Sequence, residues 1–116
     1  MREQTITTAE GLQKPRDRAV IAGLSSPRLD AQDNADEETM SELEALVETA
    51  GGEVAASVLQ NRASPEPRTF IGEGKVAEIK ELVKNEEATM VIFDNDLSPS
   101  QLRALTEDLG VQVLDR

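Results

Sequence analysis

The residues with types and spacing fit for phosphate chemistry lie in one run, RTFIGEGKVAEIKELV, from Arg68 to Val83. A Gly-Glu-Gly-Lys turn precedes apolar residues at helical spacing there. Backbone N–H groups at a helix start and a nearby ammonium are suited to an anion. The phosphate-binding loop, however, requires G-x-x-x-x-G-K-[ST], with the hydroxyl on Mg²⁺. Gly74 and Lys75 are in place, but Val76 stands at the hydroxyl position and Thr69 at the first glycine. The dinucleotide fingerprint G-x-G-x-x-G fails too, because Gly72 and Gly74 are followed by Ala77. What remains is a turn in which Gly72 and Gly74 let the chain bend sharply into a helix. It carries at most a weak anion site through Lys75.

Two further groups could do chemistry. Arg62, Arg68 and Lys75 fall within fourteen residues, on a segment that reads as loop. Arginine and lysine pair with phosphate oxygens, and the neighbouring Phe70 could stack on a base. As solvated loop charges, the same cations would have no role. Phe70 is assigned to the core, since an aromatic-poor chain needs its few rings inside. Asp94 and Asp96 could hold Mg²⁺. Asp, Asn and Ser at a strand-to-helix turn more commonly cap backbone groups, so no metal site is assigned.

Composition narrows the chemistry. The chain has 116 residues, no His and no Cys, which removes imidazole base catalysis, thiol nucleophiles, disulfides and the usual zinc ligands. That length suits one domain, burying about two thirds of its unfolded surface. With two Phe, no Trp and no Tyr, aliphatic residues must build the core. No apolar run approaches the roughly 20 residues of a membrane span, and MREQTITTAEG is no signal peptide. A cytoplasmic location and no membrane partner are expected. A formal net charge of −11 repels a nucleic-acid backbone overall, so any RNA contact must be local.

The elements that must position these residues alternate. Residues 1–17 read as a flexible arm. Arg18–Leu24 reads as a buried strand, followed by a polar loop or partly disordered stretch to Asp36. Met40, Leu43, Leu46 and Val47 give one helical face over about Glu37–Ala50, started by Asp36 or a Thr39–Glu42 box and stopped by Gly51-Gly52. Glu53–Gln60 is a strand with imperfect alternation. A helix from about Gly74 to Asn85 follows, its stripe made of Val76, Ile79, Leu82 and Val83. Thr89–Phe93 is an apolar strand of the kind covered on both faces. Ser98, Pro99 and Gln101 open a helix that stops at Gly110, and Val111–Leu114 is the last strand. The order β-α-β-α-β-α-β predicts an α/β domain over 18–116. Its four-stranded, mostly parallel sheet carries helices on both faces. The expected strand order is 2-1-3-4, with the switch point between the first and third strands. The chain stops at Arg116 directly after an edge strand, which points to an imposed boundary or to a further domain downstream.

Two stretches carry a family resemblance. Pro65–Glu78 has the form P-x-P-x-x-(aromatic)-I-G-x-G-K-x-x-E, and Asp94–Arg103 has the form D-x-x-L-S-P-S-Q-x-R. In register over about Arg18–Arg116, the chain resembles the N-terminal domain of the HflX family of GTPases. VIFDND also resembles the phosphoacceptor strand of receiver domains. The acidic pair that such a site needs after the first strand is Gly-Leu-Ser-Ser here, so that likeness is one of fold class.

The HflX resemblance implies a ribosome-associated GTPase that acts on the large subunit, contacts rRNA and splits stalled ribosomes. GTP and magnesium would belong to a GTPase domain absent from this chain, as is the helical hairpin between the two. The expected role of the chain is therefore non-catalytic docking. Arg62, Arg68 and Lys75 would touch phosphate, and Gly72 and Gly74 would form an anion-binding turn. A small nucleotide-binding enzyme using Gly72–Lys75 and a protein-interaction domain are the alternatives.

Overall fold

The strand Arg18–Ser25 (β1) is apolar along nearly its whole length, so it needs a neighbour on each side and cover on each face. The computed structural model, which describes residues 16–116, supplies both. Its elements are β1, α1 (Glu37–Thr49), β2 (Glu53–Asn61), α2 (Glu73–Asn85), β3 (Met90–Phe93), α3 (Pro99–Leu109) and β4 (Gln112–Leu114). The sheet is parallel throughout, in the order β2-β1-β3-β4. This is the expected order, with the switch point between β1 and β3.

Alternation along β1 divides the core in two. Val20, Ala22 and Leu24 meet Val76, Ile79 and Val83 of α2, Leu105 and Leu109 of α3, and Phe93. Ala19 and Ile21 face the other way, toward Ala35 of the preceding loop and Met40 of α1. One face thus carries two helices and the other carries α1 alone. Gly23 lets α1 approach: a Cβ there would lie 2.8 Å from both Ala35 Cβ and Met40 Sδ. The imperfect pattern of β2 has a cause in register. Val54 pairs with Ala19 but Ala56 pairs with Val20, so Ala55 is an extra residue, a bulge.

The helix boundaries follow local chemistry. Asp36 caps α1, and its box closes with Thr39 itself rather than Glu42: Thr39 N–H donates to Asp36 Oδ1 at 2.8 Å, and Asp36 N–H to Thr39 Oγ1 at 2.9 Å. Gly51, at φ 96°, ends the helix in the left-handed region. α3 has the expected Ser98–Gln101 box with Pro99 in its first turn, and Gly110 at φ 75° closes it. The loop between β1 and α1 is tied down, with Ala35 N–H on Leu24 O at 3.2 Å and Ser26 N–H on Asn34 Oδ1 at 2.8 Å. Of the expected N-terminal arm, Arg16 and Asp17 are held: Arg16 donates to Gly51 O and Gly52 O, and Asp17 O accepts from Glu53 N–H. The rest of that arm lies outside the described residues.

Glycine substitutions test this packing. Gly23→Ala should lower unfolding free energy by about 1–3 kcal/mol, the range for overpacking. Gly74→Ala, where a new Cβ meets nothing within 4 Å, should raise it by about 0.4–1 kcal/mol. Urea denaturation followed by circular dichroism measures both.

Candidate functional site

The glycine turn is built differently from its sequence expectation. The residue with positive φ is Phe70, at 68°, and neither Gly72 nor Gly74 lies in that region. Ile71 N–H reaches back to Thr69 O at 2.7 Å, so the chain reverses tightly around Phe70. Glu66 and Phe70 exchange two backbone hydrogen bonds, at 2.9 and 2.7 Å. Left-handed backbone at a non-glycine residue costs roughly 1–2 kcal/mol. It is offset here by burial of the Phe70 ring and the whole of Ile71. The ring is core, as expected, and offers no stacking platform.

Gly72 serves close approach rather than bending. It is the N-cap of α2, in extended backbone and without a side-chain cap. A Cβ there would run into the guanidinium end of the Arg62 side chain. Its N–H donates to Gln60 Oε1 at 2.9 Å. Gly74 lies inside the first turn of α2, which begins at Glu73, one residue before the predicted start. Val76, at the position where a phosphate-binding loop needs a hydroxyl, is buried against the core.

Each of the three candidate cations has an acidic partner. Arg62 donates from Nε to Ser64 O at 3.0 Å and lies 3.8 Å from Glu66. Lys75 pairs with Glu78 at 2.9 Å within α2. Arg68 reaches across to α3 and forks onto Asp108, at 2.7 and 3.2 Å. That hydrogen bond, more than the charge of Arg68, holds the Asp108 carboxyl below its usual range. It also raises Arg68 further above its own. Thus the structure brings Arg62 against Gly72 and turns Arg68 toward α3.

The strand-end rim holds Asp94 and Asp96, the candidate metal ligands, and between them Asn95, to which the sequence assigned no role of its own. Asn95 is wholly buried at the switch point. Its Oδ1 accepts from Leu24 N–H at 2.9 Å, while its Nδ2 donates to Leu24 O at 3.1 Å and to Asp33 O at 2.8 Å. The crevice between β1 and β3, where α/β folds usually bind ligands, is therefore occupied by the protein's own amide at this point. Asp94 is also buried. Its backbone O accepts from Arg116 at 2.6 Å and its Oδ1 lies 3.4 Å from the same guanidinium, but Oδ2 has no hydrogen-bond partner among the described residues. Asp96 is exposed, so the two aspartates differ in setting. No group of three metal-ligating side chains forms among the described residues. The signal for Asn95 was its place two residues after an apolar strand, in a segment where Asp drew attention instead.

Comparison with known proteins identifies this arrangement. A family described as GTP-binding GTPase N-terminal matches residues 37–116. The chain belongs to the family of HflX GTPase N-terminal domains. It is 36% identical over 104 residues to a GTPase HflX of Alkalihalophilus pseudofirmus, covering 90% of this chain and 24% of that relative. To the GTPase HflX of Escherichia coli it is 43% identical over 81 residues, covering 70% of this chain and 19% of the relative. The chain thus spans about a quarter or less of the curated HflX relatives it matches. Among solved structures, a GTP-binding protein of Sulfolobus solfataricus in complex with GDP is similar, with TM-score 0.59 and 27% identity, covering 85% of this chain and 27% of that one. The Pro65–Glu78 stretch, within the matched residues 37–116, forms the tight turn, the N-cap glycine without a side-chain cap and the start of α2.

Two measurements check the site. Asn95→Ala leaves the Leu24 groups unpaired and should cost about 2–4 kcal/mol in urea unfolding, well above an exposed Asp96→Ala. In a carboxyl-detected NMR titration, Asp108 should titrate below an ordinary aspartate, and Arg68→Ala should shift it upward. The sign follows from linkage: the pair's contribution is full above the unfolded aspartate pKa and is lost as pH falls through the lowered folded one.

Proposed function

We propose that this chain is the ribosome-docking module of an HflX-type GTPase, non-catalytic in itself and acting on the large subunit in the cytoplasm. The observation that carries the reading is the HflX family match over 37–116 to a domain whose only phosphate-loop-like turn has its hydroxyl position buried in the core as Val76. GTP and magnesium fall to the remainder of the longer protein. That remainder, with its helical segment and GTPase domain, is the module's partner in cis, and rRNA of the large subunit its partner in trans. No described helix is long and apolar enough to cross a membrane.

Arg62, Arg68 and Lys75 are the proposed phosphate contacts, with Gly72 and Gly74 at the adjoining turn. Their placement answers the objection from charge. α1 carries five glutamates and no basic residue, whereas α2 has three glutamates and three lysines. The sheet separates these helices, since α1 packs on one face and α2 with α3 on the other. The exposed charges of α1 and α2 face solvent on opposite sides of the sheet, and exposed charges farther apart than the roughly 8 Å screening length at physiological salt act weakly on each other. A phosphate approaching Arg68 and Lys75 is then largely shielded from α1. It must still compete with Asp108 and Glu78 for them, which favours weak, salt-sensitive contact.

Cosedimentation with purified large subunits over a salt series tests the proposal. The chain should pellet at low salt and be released as salt rises. Replacing Arg62, Arg68 and Lys75 together with Ala should weaken binding and flatten the salt dependence by about 2–3 in log–log slope. Identical behaviour of the chain and the triple variant would rule out these residues as the contact.

A further inference from the structure

The two edges of the sheet are not protected alike. β4 is three residues long, too short to template another strand. β2 is nine residues, EVAASVLQN, with no Pro, Lys or Arg to discourage pairing. Its inner side is fixed by β1: Arg62 N–H, just beyond its end, donates to Ser25 O. Because hydrogen-bonding directions alternate along a strand, Gln60 and Val58 also point inward. The N–H and C=O groups of Ser57, Leu59 and Asn61 therefore point outward, away from β1.

α1 runs beside this edge and makes a groove of it. Glu37, Met40 and Glu44 of α1 and Ser57 and Leu59 of β2 line a cavity of about 330 Å³. Met40 and Leu59 form an apolar floor. Glu37 and Glu44 are its carboxylates, and Ser57 Oγ donates to Glu44 Oε2 at 2.5 Å. The surroundings are one-signed: from Asp30 to Glu48 there are eight acidic residues and no basic one.

We infer that the groove between the β2 edge and α1 is a docking site for an extended, basic peptide segment of a partner protein. The segment would add as a strand to Ser57–Asn61. Alternate side chains would then face α1, where lysine or arginine meets Glu37 and Glu44 and their alkyl stems cover Met40 and Leu59. Charge selects this occupant over two others. A nucleic acid is repelled by the glutamates, and a second copy would bring two acidic α1 faces together.

The probe is a fluorescein-labelled nine-residue peptide of alternating Lys and Val, read by anisotropy against the intact chain, with a Glu–Val peptide as control. The Lys–Val peptide should bind saturably and the Glu–Val peptide should not, with ¹⁵N amide shifts centred on Ser57, Leu59 and Asn61. Ser57→Pro removes an outward N–H while sparing the β1 ladder, and should weaken binding about tenfold, as expected for one or two lost hydrogen bonds. Glu44→Lys should weaken binding and reduce its salt sensitivity without touching the backbone. Equal binding of both peptides, no binding of either, or unchanged affinity in both variants would overturn the inference. So would a dimer in sedimentation that Ser57→Pro dissolves, because that places a second copy at the edge.

Discussion

The rim of this domain depends on one carboxamide. Asn95 sits with no exposure where β1 and β3 part, and pairs with both backbone groups of Leu24 and with Asp33 O. Parallel strands diverge at a switch point and leave backbone groups without ladder partners. An amide offers a donor and an acceptor in one plane, so it can meet a neighbouring N–H and C=O together. A carboxylate at that place could accept from Leu24 N–H but could not donate to Leu24 O. The same residue fixes the loop that leads into α1, and with it the cap at Asp36. Arg116 adds a second tie from the end of β4 to Asn34 O and Asp94 O.

Asn95 fills the crevice at that point, and other polar groups gather around the turn ahead of α2. The turn ahead of α2 is held by Gln60 and the Thr69–Phe70 reversal, and the end of the Arg62 side chain rests against Gly72. The acidic and mixed-charge helices lie on opposite sides of the sheet. A chain with a large net negative charge can therefore offer two faces of different electrostatic character.

Much of the architecture was legible because local signals agreed. Apolar runs marked Arg18–Leu24 and Thr89–Phe93, and Ser98, Pro99 and Gln101 marked the start of α3. Gly51 and Gly110 marked helix ends by the conformation that glycine tolerates. The alternation with short links pointed to a parallel sheet, but not to the order of its strands, which long-range pairing decides. The bulge at Ala55 was not legible, since extra residues are set by pairing with β1 and leave no mark on β2 itself. The site was read less well. Glycine drew the turn prediction, but burial of Phe70 holds the left-handed residue instead, and tertiary packing overrides propensity there. Asn95 was hidden because its role needs Leu24, a residue 71 positions away. The pairing of Arg68 with Asp108 spans 40 positions and was equally silent.

That separation of 71 positions has a bearing on how the domain comes together. Every strand pair in the sheet is parallel and long-range, and the Glu66–Phe70 bridge is a local antiparallel exception. Loop closure must precede the reward from such contacts. β1 can meet β2 once the α1 segment has formed, but its other side waits for β3, and the Asn95 clamp waits longer. During synthesis the central strand therefore passes through a period with one side unpaired, when it is most open to wrong partners. Pulse-labelled hydrogen exchange would register this as late protection of the Leu24 amide relative to the amides of β2 that face β1.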